Sequence, residues 1–188
     1  MNRNEFLITY WRYYETLEKD FIDTIRYVSL DESNYSTYSI EYARLLQTIC
    51  SEVDVLMKEY CHILSPEKKE IKVENINDYA RVILGKDKNF STNSIYLKKY
   101  AHNLKLVPFA NWEAEKSPEW WKCYNNVKHR RNHKMKDANQ KNVLYSLAGL
   151  YLLEIKVAIQ IRMSDSTLQE WEPPTDELSS LFYSKMEW

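Results

Sequence analysis

Between Gln140 and Arg162 the chain reads QKNVLYSLAGLYLLEIKVAIQIR. Val143, Leu144, Leu147, Leu150, Leu152, Leu153, Ile155, Val157 and Ile159 spread over nearly the whole circumference of a helix turning at about 100° per residue. A helix apolar on all sides belongs at the centre of a fold, with other elements covering it. Its most apolar run, Val143 to Leu153, is eleven residues long and stops at Glu154 and Lys156. A membrane span needs about 20. No membrane contact is therefore expected, and the chain reads as soluble and cytoplasmic. The opening Met1-Asn2-Arg3-Asn4-Glu5 lacks the basic-then-apolar pattern of a secretory leader.

The covering helices are legible upstream. Glu5 to Leu30 carries Leu7, Tyr10, Tyr14, Leu17, Phe21, Ile25 and Val28 in steps of three and four. Thr37 to Ile63 repeats the pattern through Tyr42, Leu45, Leu46, Ile49, Val53, Leu56 and Tyr60, and Ser65-Pro66 ends it. Ile76 to Leu84 predicts a short helix, with Gly85 just past its end. Thr92 to Leu104 predicts another, and Leu106 to Trp112 an irregular stretch partly buried through Phe109 and Trp112. Ser117-Pro118-Glu119 reads as a helix start, Ser as cap and Pro in the first turn. A break is expected between Asp137 and Asn139.

The 188 residues contain only two glycines and five prolines, too few for a turn-rich sandwich or barrel or for a glycine-rich phosphate loop. The fold expected is all-α, an up-and-down bundle of four to five helices. Residues 1–163 form its single domain, and 164–188 an acidic peripheral tail with a short helix at Asp176 to Lys185. Cys50, Cys61 and Cys123 are odd in number and have no CxxC spacing, so neither a disulfide framework nor a zinc module is expected.

Net charge is −1, but it is unevenly spread. From Lys122 to Lys141 seven Lys and Arg stand against Asp137, a balance of +6. Asp31 to His62 sums to −4 and the tail from Asp165 to −5. A basic band on a nearly neutral chain attracts anions locally, or pairs with the acids of its own fold.

That band lies in Trp120-Trp121-Lys122-Cys123-Tyr124-Asn125-Asn126-Val127-Lys128-His129-Arg130-Arg131. At helical spacing Trp120, Tyr124 and Val127 share an apolar face, and Arg131 falls on it. Glu52 lies in the apolar stripe of its own helix, three after Ile49 and four before Leu56. A carboxylate there must be paired, protonated or at the stripe's edge, and Arg131 is the best-placed partner, so Glu52 and Arg131 are expected to form a structural ion pair. Asn125, His129 and Asn132 share a different face, flanked by Lys128 and Lys136. His129 and His133 have zinc-compatible spacing, but Arg130 and Arg131 between them repel a dication, and no metal is expected.

The tryptophan pair, Tyr-Asn-x-Val-Lys-His-x-Arg, Ala138 and Asn142 together resemble a set of bacterial helical-bundle proteins of mostly unassigned function, related to the HEPN superfamily. The upstream Glu41-Tyr42-Ala43-Arg44-Leu45-Leu46, Ser51-Glu52-Val53-Asp54 and Lys58 are similar to the same set. The resemblance implies a bundle of four or five helices, no cofactor, and three kinds of partner: RNA or a nucleotide, a second copy of the chain, or another protein. Many such proteins are metal-independent RNases of defence and toxin–antitoxin systems. Their motif is Arg, a polar residue, three variable residues, then His. Asn125 matches the polar position and His129 the histidine, while Tyr124 stands where the arginine would be.

Two functions are open. One is a non-catalytic HEPN-like interaction or regulatory module, favoured because tyrosine supplies no charge to a scissile phosphate. The alternative is a metal-independent endoribonuclease, or an RNA- or nucleotide-binding protein. There the catalytic residues would be His129 and Asn125, and Lys128, Arg130 and Lys136 would hold phosphate.

Overall fold

A computed structural model describes residues 1–66, 72–98, 104–168, 170–171 and 179–185. The centre is α6, Gln140–Ser164, which begins where the Asn139 side chain accepts from the amide of Asn142. By length and composition it could cross a membrane, but 78% of its most apolar window is buried inside the protein.

Its main neighbour is α3, Ile40–Leu64, started by Ser39 accepting from the Tyr42 amide. The two helices begin together: Tyr38 bridges Asn139, and the Gln140 amide donates to the Thr37 carbonyl at 3.0 Å. The N-terminal arm covers the pair. It comprises α1 (Arg3–Phe6), one π-helical turn (Leu7–Trp11) and α2 (Arg12–Ile25). A π turn widens the helix, and here the consecutive Tyr10 and Trp11 both turn inward. The first helix ends at Ile25, short of Leu30.

Two further helices complete the bundle, α4 (Ile76–Lys86) beside α3 and α5 (Glu119–Lys134) against both α3 and α6. Gly85 lies inside α4, and Asp87 caps it. Pro118 itself is the cap of α5, with extended ψ of 151°, so the helix starts one residue later than its Ser-Pro-Glu signal suggests. The loop before it is buried through Phe109 and Trp112. It is pinned by Trp120, whose indole N–H donates to the Pro108 carbonyl at 2.6 Å. Gly149 permits this approach. A Cβ there would stand 3.2 Å from the Trp120 ring and 3.4 Å from Phe109, tighter than ordinary carbon contact.

The chain is thus a mostly helical bundle, but not purely helical. Three antiparallel strands form a small sheet in the order β2-β1-β3: β1 is Ile95–Leu97, β2 Lys105–Leu106 and β3 Phe182–Ser184. Ile95 pairs with both Leu106 and Ser184. The helix expected over Thr92 to Leu104 is replaced by a 3-10 turn and β1 as far as Leu97, and 99–103 lie outside the described residues. Ile-Tyr-Leu alternates buried, half-buried, buried, which is strand periodicity.

The tail also departs from expectation. Where a peripheral helix was expected, Phe182–Ser184 is a strand (176–178 lie outside the described residues), and Trp171, Ser179, Leu181 and Phe182 are buried. Glu18 on α2 ties it down. Its buried carboxyl group accepts from Tyr14 Oη (2.7 Å), Ser179 Oγ (2.5 Å), the Ser180 amide (2.9 Å) and the Leu181 amide (3.2 Å). Residues 179–185 therefore belong to the domain.

Replacing Glu18 by Leu strands these donors. We expect a loss of about 2–4 kcal/mol, read as a lower Tm. Amide exchange should accelerate at Leu181–Ser184 while α3 and α6 stay protected.

Candidate functional site

The basic band lies on the C-terminal half of α5 and the turn after it. Trp120, Trp121, Tyr124 and Val127 face the core. Trp121 and Tyr124 meet edge to face with ring centroids 5.3 Å apart. The Lys128 ammonium sits 5.5 Å from the Tyr124 ring, so that ring is buried on one side and carries a cation on the other.

Asn125 is half-buried and His129 exposed, one turn apart in the helical part of α5. Beyond them Arg130 leaves helical geometry, with φ −137° and ψ 33°. A 3-10 turn, Met135–Asp137, then leads into α6. The break expected over Asp137–Asn139 is present, with Ala138 and Asn139 both outside helical geometry, and Arg130 adds an earlier kink inside α5. That kink falls between His129 and His133, which lose their one-turn spacing. Among the described residues no three His, Cys, Asp or Glu side chains gather in a way that could hold a metal ion.

The corner between α5 and α6 rests on a residue that sequence reasoning passed over. The Asn126 amide donates to Asp137 Oδ2 at 2.8 Å, and Asn142 donates to the Asp137 carbonyl at 2.8 Å. The Asn–Asp–Asn spacing of 126, 137 and 142 is the only trace of this link in the sequence. The corner borders a cavity of about 420 Å³ lined by Pro108, Asn111, Cys123, Lys141 and Asn142 among others. Asn125 and His129 are not on it. Cys123 is a poor nucleophile there: burial, then the nearby Asp137 and Glu119, push its thiol up to about 11.

Lys128, Arg130, Arg131, Lys134 and Lys136 are all exposed. None has a carboxylate partner among the described residues. No family model, curated protein or solved structure matches the chain. The geometry therefore carries the functional argument.

The expected Glu52–Arg131 ion pair is not formed. Past the kink Arg131 turns to the surface and donates to Gln47 Oε1 at 3.0 Å. Glu52 is half-buried and faces a second acid, Glu154 of α6. Glu154 is fully buried, and among the described residues neither of its carboxyl oxygens has a hydrogen-bond partner. Burial first, and the Glu52 charge second, push its pKa well above the usual carboxyl value of 4.5. Burial alone raises Glu52, and the Tyr10 phenol beside them is raised by burial and by the surrounding glutamates.

A carboxyl that holds its proton in the fold and loses it in the unfolded chain makes the folded state bind more protons. Stability is then greatest below the unfolded value near 4.5 and falls as pH rises towards the folded value. One such group contributes a slope of about 1.4 kcal/mol per pH unit. In denaturant unfolding across neutral pH, Glu154→Met should be more stable than the parent at pH 7 and should flatten this slope. An unchanged slope would remove Glu154 as its source.

Proposed function

We propose that the chain is a HEPN-like helical bundle acting as a non-catalytic interaction or regulatory module, and that the basic end of α5 docks an anionic partner. The resemblance in the Trp120–Arg131 block suggests a defence or toxin–antitoxin setting. One observation carries the reading: Lys128, Arg130 and Lys136 stand exposed without carboxylate partners among the described residues. Cations left unpaired on a chain of net charge −1 create a local positive field, which is an attractant for polyanions.

Two features favour binding over catalysis. Tyr124 offers no cation at the arginine position, and its ring is occupied by the core and by Lys128. Asn125 and His129 border neither the cavity beside α5 nor a second one between α2 and α3. The exposure of His129 keeps a second reading, the metal-independent RNase, in play. There His129 would exchange a proton with a ribose hydroxyl while Asn125 orients the phosphate. The burial of α6 supports its use as a core helix and not as a membrane span.

Incubation with labelled single-stranded and hairpin RNA in EDTA, beside polyglutamate as a non-nucleic polyanion, separates the readings. The module reading expects intact RNA and salt-sensitive binding. Lys128→Glu with Arg130→Glu should weaken that binding about tenfold or more and lower the salt slope by about one per cation removed. Cleavage that survives EDTA and disappears in His129→Ala would replace this reading with the RNase. Failure to bind either polyanion would end both.

A further inference from the structure

The bundle carries a second, oppositely charged feature that the basic band does not explain. Between the C-terminal half of α2 and the start of α3 lies a groove of about 430 Å³. Its lining includes Asp20, Asp23, Thr24, Tyr27, Glu41 and Tyr42. Thr24 and Tyr42 are buried beneath it, and on its mostly apolar lining Asp20, Asp23 and Glu41 outnumber Arg44. Arg44 bridges two of the acids, reaching Asp20 at 2.7 Å and also holding Glu41. Asp23 is exposed and has no ion-pair partner among the described residues. From Asp20 to Arg44 five carboxylates stand against two guanidinium groups.

Apolar side chains stand out into water at the same place. Tyr27, on the lining, is 85% exposed, and Ile40, between the lining residues Ser39 and Glu41, is 83% exposed. These are the two most exposed large hydrophobic side chains among the described residues, and Tyr38 two positions away is 46% exposed. Scattered apolar residues on a surface need no explanation, but the most exposed of them standing on the lining of a groove does. Tyrosine is also the residue type that most often anchors protein contacts.

We propose that this groove docks a basic amphipathic segment of a partner protein, one that presents an apolar side chain flanked by Lys or Arg. The apolar group would cover Tyr42 and Thr24 between Tyr27 and Ile40. The flanking cations would meet Asp23 and the outer face of Glu41. Charge selects the occupant: an acidic segment or a nucleic acid would bring like charge against Asp20, Asp23 and Glu41, and like-charge contacts oppose binding. The surface is separate from α5, so this inference stands or falls apart from the function proposed above.

A fluorescein-labelled Leu/Lys amphipathic peptide, titrated by anisotropy against the full chain, tests it, with a Leu/Glu peptide of equal length as control. The expected result is saturable binding of the Leu/Lys peptide only. Asp23→Lys and Tyr27→Ala, both at exposed positions where folding is not at stake, should each weaken it about tenfold. Glu113→Lys, on the loop before α5, and Lys128→Glu should leave it unchanged. No binding, equal binding of the Leu/Glu peptide, or equal loss with Glu113→Lys would overturn the proposal. So would sedimentation showing a dimer that Tyr27→Ala splits, since the occupant would then be a second copy.

Discussion

The burial of α6 on every side is the constraint to which the other elements answer. Seventeen of its 25 residues are buried, so no single neighbour could cover it. Each large apolar side chain removed from water contributes about 1.5–3 kcal/mol before the ordering of the chain is counted. The cover comes from five directions in sequence. α3 lies along it from the shared start at Tyr38 and Asn139, and α2 and α5 flank it. The Phe109–Trp120 pair presses on Gly149, and the tail brings Phe182 to Tyr151 with ring centroids 5.5 Å apart. The small sheet is best understood as the last piece of this cover, because β3 is the strand that carries Phe182.

Two buried glutamates show opposite ways of placing a carboxyl group in such a core. Glu18 is surrounded by donors from Tyr14 and from the tail, so its burial organises a long-range contact. Glu154 has no donor among the described residues, and the charge of Glu52 adds to the effect of its burial. A charged carboxylate in that position would cost far more than a neutral one, which is why burial raises its pKa well above the usual carboxyl value. Glu18 holds two distant segments together. Glu154 supports no contact of its own and makes the fold sensitive to pH.

The helices were legible because their apolar periods are long, as in α3 and α6. The sheet was not. Its strands are two or three residues long, and Ile95 finds Ser184 across nearly half of the chain, a pairing that local pattern does not encode. Leu181 and Phe182 sit in an acidic context, and only the tertiary partners Glu18 and Tyr151 reveal them as core. For the candidate site, the exposure of the basic residues followed from composition, whereas the direction of Arg131 did not. Helical arithmetic carried Arg131 onto the apolar face. The non-helical backbone at Arg130 resets the phase, so Gln47 receives the guanidinium and Glu52 is left with Glu154.

The same displacement bears on the surface. Had Arg131 been drawn inward to an acid, the basic band would have been partly spent on the architecture. With Gln47 as its partner it keeps its full charge at the surface, on the flank of α3 that faces α5. On the flank facing α2, Arg44 is held between Asp20 and Glu41 and leaves the groove acidic. The acidic groove at Arg44 and the Arg131 guanidinium on Gln47 thus stand within one turn of each other along α3. Intramolecular pairing between the two patches would have lowered the electrostatic energy of the isolated chain. Among the described residues no ion pair joins them, and each remains open to a partner of complementary charge.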